Sequence, residues 1–237
     1  MRQAQDSEII RLSMWVREGK PLAQFPATGS QVMIITPSQV VAGMYDWADQ
    51  ILCATNDKRN TINECMRQIK GFGPKPQIGD KIISLRNQWD FFSNGSNNPS
   101  PLINGTIGTI QAMDHSFIYT PHWICDKAIP VLYTTMIDGS NNQFNYIPID
   151  YKALTTGKKF LTEKQEFQMK KSNKCSDPPF EFTYAYGITV WKAQGSEWDK
   201  ILGYEESFPR DKETHQRCAY TLITRAKERL VYVVNRT

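Results

Sequence analysis

The stretch QVMIITPSQVVAGMYDWADQILCATNDKRNTINECMRQIKGFG, Gln31 to Gly73, decides the fold. Within it QVMIITP and QILCATN are short apolar runs bounded by polar residues and proline, the pattern of buried strands. The intervening SQVVAGMYDWAD reads as helical. After the second strand, DKRNTINECMRQIKGFG puts Ile62, Met66 and Ile69 on one helical face and stops at Gly71. Strand, helix, strand, helix in succession is the signature of a parallel α/β layer.

Upstream, DSEIIRLSMWVREGKP (Asp6 to Pro21) reads as a helix, with Asp6 or Ser7 as N-cap and a Gly-Lys-Pro stop. Downstream of Gly79 the character changes. GDKIISLRN, NGTIGTIQAMD, AIPVLYTTMID and QFNYIPID are strand-like runs separated by turns such as Asn104-Gly105 and DGSNN, with no helical period. They predict a small antiparallel barrel or sandwich. The stretch SNGSNNPSP is a flexible excursion by composition. Beyond about residue 180, α/β character returns. TYAYGITVWKAQ reads as helical and DKILGYE as a strand. KETHQRCAYTLITRAKER then reads as a helix with Ala219, Leu222, Ile223 and Ala226 on one face, before a last strand LVYVV. The expected plan is one α/β domain, residues 1–78 and 181–237, interrupted by a β module over 79–180.

The 237 residues are enough to bury an ordinary core, and no apolar run approaches the roughly 18 residues that a membrane helix needs. The start MRQAQDSEII lacks the apolar core of a secretory signal. Cys53, Cys65, Cys125, Cys175 and Cys218 form no C-x-x-C pair, so free thiols in a reducing cytoplasm are expected. A net charge of +4 identifies no partner. Seven lysines against two acids between Tyr151 and Cys175, however, mark either a phosphate-facing strip or a solvated connection. His115, His122 and His215 match no metal spacing, and neither a G-x-S-x-G elbow nor a Cys-His signature is present.

AYGITVWKAQGSEWDKIL (Ala185 to Leu202), followed by AYTLITRAKERLVYV (Ala219 to Val233), resembles motifs V and VI of superfamily 1 DNA helicases, closest to the RecD and Dda branch. GDKIISLRNQWD and LINGTIGTI are similar to segments opening the SH3-like barrel inserted in that branch's second RecA-like domain. MRQAQDSEIIRLSMWVREGK resembles the end of motif IV and the helix after it. The resemblance implies an α/β fold in which a RecA-like parallel sheet with helices is interrupted by a small antiparallel SH3-like β-barrel. It covers only the C-terminal half of such an enzyme. No G-x-x-x-x-G-K-[ST] occurs; TTGKKF lacks the first glycine and the hydroxyl for Mg²⁺, and no strand ends in a paired Asp-Glu. The expectation is a cut enzyme or an isolated domain that does not hydrolyse ATP alone.

By the resemblance, Arg225 and Arg2 are arginine fingers for the γ-phosphate of ATP with Mg²⁺, held mainly by a missing N-terminal RecA-like domain. Such an arginine is worth about 10³ to 10⁵ in rate. For Arg225 the bland alternative is a cation at a helix C-terminus, and for Arg2 an unanchored terminal residue. Gln194, Gly195 and Glu197 are expected to face the nucleotide. Glu197 suits a ribose hydroxyl, and Gly195 permits close backbone approach while also serving as a C-cap. Thr189, Trp191 and Lys192, upstream on the same expected helix, face single-stranded DNA. Most relatives carry His at Trp191, so its indole either stacks on a base or is core. Asn56 and Arg59 open a helix after a strand, where phosphate contact and simple capping are both available.

Two functions follow. The first is the C-terminal motor domain of an ATP-dependent DNA helicase, travelling 5′ to 3′ by family, phage or bacterial and cytoplasmic, with replication or recombination proteins as possible partners. The second is a non-catalytic module that binds DNA or protein on the same scaffold.

Overall fold

The computed structural model describes residues 7–94, 99–208 and 211–234. They form two compact units: one comprises the described residues through Lys70 and from Tyr186 onward, the other Gly71–Ala185. In chain order the elements are α1 (Glu8–Arg17), β1 (Val32–Ile35), α2 (Ala42–Trp47), β2 (Gln50–Cys53), α3 (Asn56–Ile69), β3 (Lys81–Ser84), β4 (Gln88–Phe92), β5 (Pro101–Leu102), β6 (Ile107–Ile118), β7 (Ile129–Asp138), β8 (Gln143–Asp150), α4 (Tyr151–Thr156), α5 (Glu163–Lys171), β9 (Phe182–Tyr184), β10 (Gly187–Thr189), β11 (Trp198–Tyr204), α6 (Lys212–Ile223) and β12 (Ala226–Val233).

The first unit is built on a five-stranded sheet in the order β1-β12-β11-β2-β10, with every pairing parallel. Its strands read as apolar runs because their side chains are covered: Ile51, Leu52, Ile188, Ile201, Leu202 and Leu230 are all buried. α1 buries Ile9, Leu12 and Val16, a three-and-four spacing that lays one helical stripe against α6 and β12. Gln216 of α6 donates from Nε2 to the carbonyls of Val16 and Arg17, both at 2.6 Å, satisfying acceptors at the open C-terminus of α1. The N-terminus of α1 is anchored by its own Glu8. This carboxylate accepts from the backbone N–H groups of Thr28, Gln31 (3.0 Å) and Val32 (2.9 Å) and from the Ser30 hydroxyl, tying the helix to the start of β1.

The second unit is antiparallel, in the order β8-β7-β6-β3-β9, with β4 and β5 paired separately. An isolated parallel bridge joins Ile149 of β8 to Phe180, just before β9, so the two sheet edges meet. Phe180 N–H donates to Pro148 O at 2.6 Å, and Asp150 N–H to Phe180 O at 2.9 Å. The enclosed core holds Ile82, Ile110, Leu132, Met136, Phe144, Ile147 and Phe182. A second cluster, with Ile118, Ile124, Ile129, Leu161 and Met169, fills the far end of the long β6–β7 hairpin under α5.

Several segments differ from the expectation. TYAYGITVWKAQ is β9, β10 and a turn rather than a helix. Ile188 and Thr189 are β-branched, and Gly187 sits where β10 approaches α3, so this short apolar run pairs with β2 instead of coiling. β9 pairs with β3, which carries the second unit on to Ala185 rather than residue 180, and that unit begins at Gly71 rather than residue 79. Pro37 opens a single 3₁₀ turn, leaving only Ala42–Trp47 as α-helix in SQVVAGMYDWAD. Ile69, the last residue of α3, is exposed. Ala226 lies in β12 rather than on the face of α6: its charged neighbours Lys227, Glu228 and Arg229 mimic a helix surface but form the exposed start of a strand, with Trp198 opposite Ala226 and Lys200 opposite Arg229. The lysine-rich connection contains two helices, α4 and α5, and Met169 of α5 is core.

Candidate nucleic-acid and nucleotide site

In an open parallel sheet, ligands gather beyond the carboxyl ends of the strands, where side chains are free of the ladder and helix N-termini present N–H groups. Here the carboxyl ends of β2 and β10 lie side by side, with Thr189 opposite Cys53 and Val190 N–H donating to Cys53 O at 2.9 Å. β10 is held by two buried amides. Asn63 donates from Nδ2 to Gly187 O (3.2 Å) and accepts from Gly187 N–H (2.8 Å), while Gln50 Nε2 donates to Tyr186 O (2.9 Å). An edge strand three residues long is thereby fixed from α3 and from β2.

Beyond β2, Thr55 caps α3, its hydroxyl accepting from Lys58 N–H at 3.2 Å. Asn56 is therefore the first helical residue and exposed, not the cap. Arg59, one turn further, turns both Nε (3.3 Å) and Nη2 (2.9 Å) onto Asn60 Oδ1, and burial lowers its pKa from the ordinary guanidinium value. Glu206, which the sequence did not single out, follows β11 on the same edge. Its carboxylate accepts from the backbone N–H groups of Ala54 and Thr55 (3.0 Å) and from the Thr55 hydroxyl. Burial, then the Glu206 charge, pushes the Cys53 thiol up to about 12, which keeps it protonated and inert.

After Thr189 the chain makes one tight turn: Lys192 N–H donates to Thr189 O (2.9 Å), and Ala193 N–H to both Thr189 O (3.1 Å) and Val190 O (3.2 Å). Val190 and Ala193 are buried, which anchors the turn and turns Trp191 outward, 42% exposed. Trp191 is thus a surface indole rather than core. Thr189 itself is buried, Lys192 half-buried and Gln194 exposed. Gly195 has φ +88°, a conformation that suits glycine, and a side chain there would meet nothing within 4 Å. Ser196 N–H closes the turn on Ala193 O at 3.1 Å.

The segment from Val190 to Glu197 runs back along the sheet. Thr189 is level with Cys53 and Leu202 with Ile51, so Trp198 lies six residues of strand, about 20 Å, toward the amino edge. There it meets Arg225, which sits between α6 and β12. Arg225 donates from Nη1 to Ser196 O (3.2 Å), from Nε to Thr221 O (3.1 Å) and from Nη2 to Thr224 Oγ1 (3.2 Å), while Trp198 N–H donates to Arg225 O (3.0 Å). A guanidinium has five N–H donors, so two remain among the described residues. Of the residues expected at the nucleotide, Gln194, Gly195 and Glu197, the last two flank Ser196 and so lie beside Arg225 at one edge; of those expected at DNA, Thr189, Trp191 and Lys192 at the end of β10 and Asn56 and Arg59 after β2 lie at the other. Arg2 lies outside the described residues.

Among the described residues no group of three or more His, Cys, Asp or Glu is placed to hold a metal ion, and no helix is long and apolar enough to cross a membrane.

Residues 184–233 match the family model described as the UvrD-like helicase C-terminal domain. No curated protein matches the sequence. Among solved structures, the whole chain superposes on 55% of a Pif1 helicase from Candida albicans with TM-score 0.54 at 16% identity. It likewise superposes on 51% of a Pif1 helicase from Bacteroides in complex with ADP-AlF3 and ssDNA, with TM-score 0.50 at 15% identity. The chain spans about half the length of the structures it matches. Its parallel sheet with an intervening antiparallel sheet is therefore the fold of the matched half of these Pif1 structures, and the segment matching the helicase C-terminal model spans both Ala185–Leu202 and Ala219–Val233.

Proposed function

We propose that the chain is the second motor domain of an ATP-dependent DNA helicase of 5′ to 3′ polarity. Single-stranded DNA lies over the carboxyl edge of its parallel sheet, and ATP with Mg²⁺, bound mainly by another RecA-like domain, meets the amino edge. The single observation that carries this reading is the Val190–Glu197 crossing, which joins an exposed indole at one edge to an arginine at the other within one short turn-rich segment. Trp191 offers a face for base stacking and Lys192 a cation for phosphate. Arg225 keeps donors for phosphate oxygens, and its planar fork matches their geometry. Glu197 and the open backbone at Gly195 suit a ribose. Movement of Arg225 toward a closing partner pulls on Ser196 O and, through the same turn, on Trp191; this couples nucleotide state to DNA grip. The antiparallel unit, read as an SH3-like barrel, guides DNA in this scheme.

The test joins the chain to a RecA-like domain bearing G-x-x-x-x-G-K-[ST] and measures ATP hydrolysis with and without single-stranded DNA. DNA-stimulated turnover and 5′ to 3′ unwinding are expected. Binding of DNA with no turnover would instead make the chain a non-catalytic module.

A further inference from the structure

We propose that the outer face of α5, together with Trp123, is a second contact for single-stranded nucleic acid, lying entirely within Gly71–Ala185. α5 buries Met169 in the cluster beneath the β6–β7 hairpin, and Gln165 Nε2 donates to Ile124 O at 2.9 Å, so the helix face toward the hairpin is fixed. The opposite face, at i, i+3 and i+7, is Lys164, Phe167 and Lys171. Phe167 is 58% exposed, with the Lys171 ammonium 4.4 Å from its ring centroid. Gln165 brings this helix to the loop that holds Trp123, which is 57% exposed, with the Lys174 ammonium 5.5 Å from its ring.

The charge on this face is uncompensated. Glu166, the helix acid nearest the core, is taken up by Arg86 (3.2 Å) and Lys159 (2.9 Å), whereas Lys164, Lys171 and Lys174 are exposed and have no carboxylate partner among the described residues. Glu163 lies at the N-terminal turn, where the helix dipole holds it. Exposed rings beside ammonium groups that lack a carboxylate partner among the described residues fit a strand of bases and phosphates: each ring offers a sequence-independent stacking face, and each lysine a phosphate contact. A folded acidic protein would use the cations but leave the rings without a matching surface.

Fluorescence anisotropy of a labelled 20-residue oligothymidylate, titrated with the 237-residue chain across a salt series, tests this. The triple variant Lys164→Ala, Lys171→Ala, Lys174→Ala is expected to flatten the slope of log K against log salt by about 2, since each single-strand phosphate contact contributes about 0.7. Trp123→Ala is expected to weaken binding about fivefold or more at fixed salt. Both side-chain sets are exposed, so thermal unfolding stays unchanged and separates these effects from misfolding. Unchanged affinity and slope in both variants, or no binding by the parent chain at low salt, overturns the inference. So does a loss confined to a polyglutamate competitor, which assigns the face to acidic protein. Trp191→Ala, measured alongside, reads the motor-domain site separately, so either site can fail without the other.

Discussion

Arg225 Nη1 lies 3.2 Å from the carbonyl oxygen of Ser196, and the Arg225 carbonyl accepts in return from Trp198 N–H at 3.0 Å. The guanidinium therefore supports the turn that carries Gly195 and Glu197, and in the proposed function its remaining donors serve phosphate oxygens. Arg225→Ala removes both roles. In the joined two-domain ATPase it is expected to lower turnover by about 10³ to 10⁵ while leaving ATP affinity largely intact. In the chain alone, urea denaturation should show a loss of about 1–2 kcal/mol from the carbonyls left without their donor. Arg225→Lys keeps the charge but not the fork, and is expected to stay close to the alanine variant in turnover.

Trp191 is held outward by buried Val190 and Ala193 on either side. Trp191→Ala is expected to weaken single-strand affinity by about 1–3 kcal/mol, the range for one base–aromatic stack, with no fall in melting temperature. Unchanged affinity in anisotropy titrations would remove Trp191 from the DNA surface.

The parallel layer was legible because its interior strand β2 is buried throughout, which leaves an apolar run within Gln50–Cys53 that a half-exposed strand would not show. Arg225 and Trp191 were singled out through motif resemblance, not through local pattern. The local pattern failed at Gly187–Thr189, where three apolar or β-branched residues are too few for a period to declare itself, and the choice of strand rests on Asn63 and Gln50, distant in sequence. Glu206 left no sequence signal: it is one acid in the Glu205-Glu206 pair after a strand, and its function arises only when β11 lies beside β2. The β12 boundary was hidden for a related reason, since strand residues paired at a solvated end carry the same charges as a helix surface.

Gly187 tests the placement of β10. A Cβ there would stand 2.7 Å from Ile62 Cγ2 and 3.0 Å from its Cβ, and Ile62 is a buried, β-branched side chain in α3 with little rotamer freedom. Gly187→Ala is expected to cost about 1–3 kcal/mol of stability. It should also lower DNA affinity, because Thr189 and the Trp191 turn move with the strand. Calorimetry and anisotropy on the same sample check both.

Glu206 offers a stability change centred on the site. Its carboxylate satisfies the Ala54 and Thr55 N–H groups and the Thr55 hydroxyl, so Glu206→Ala leaves the start of α3 without these acceptors. A loss of about 1–3 kcal/mol in urea denaturation is expected, with Glu206→Gln intermediate because its amide oxygen still accepts.

Glu8 gives the chain an acid-sensitive anchor. Burial alone would raise its pKa, but the N–H groups of Thr28, Gln31 and Val32 favour the charged form and hold it at about 2, against an ordinary 4.5. A carboxyl whose folded pKa is depressed contributes stability that is fully present above the unfolded value. That contribution fades as pH falls from about 4.5 toward 2. At neutral pH it amounts to about 3 kcal/mol by linkage. Glu8→Gln is expected to lower stability at pH 7 and to flatten the pH dependence between pH 5 and about 2. Denaturation midpoints of the two proteins should therefore converge on acidification, and a constant gap across that range would show that the carboxylate charge plays no part in anchoring α1 to β1.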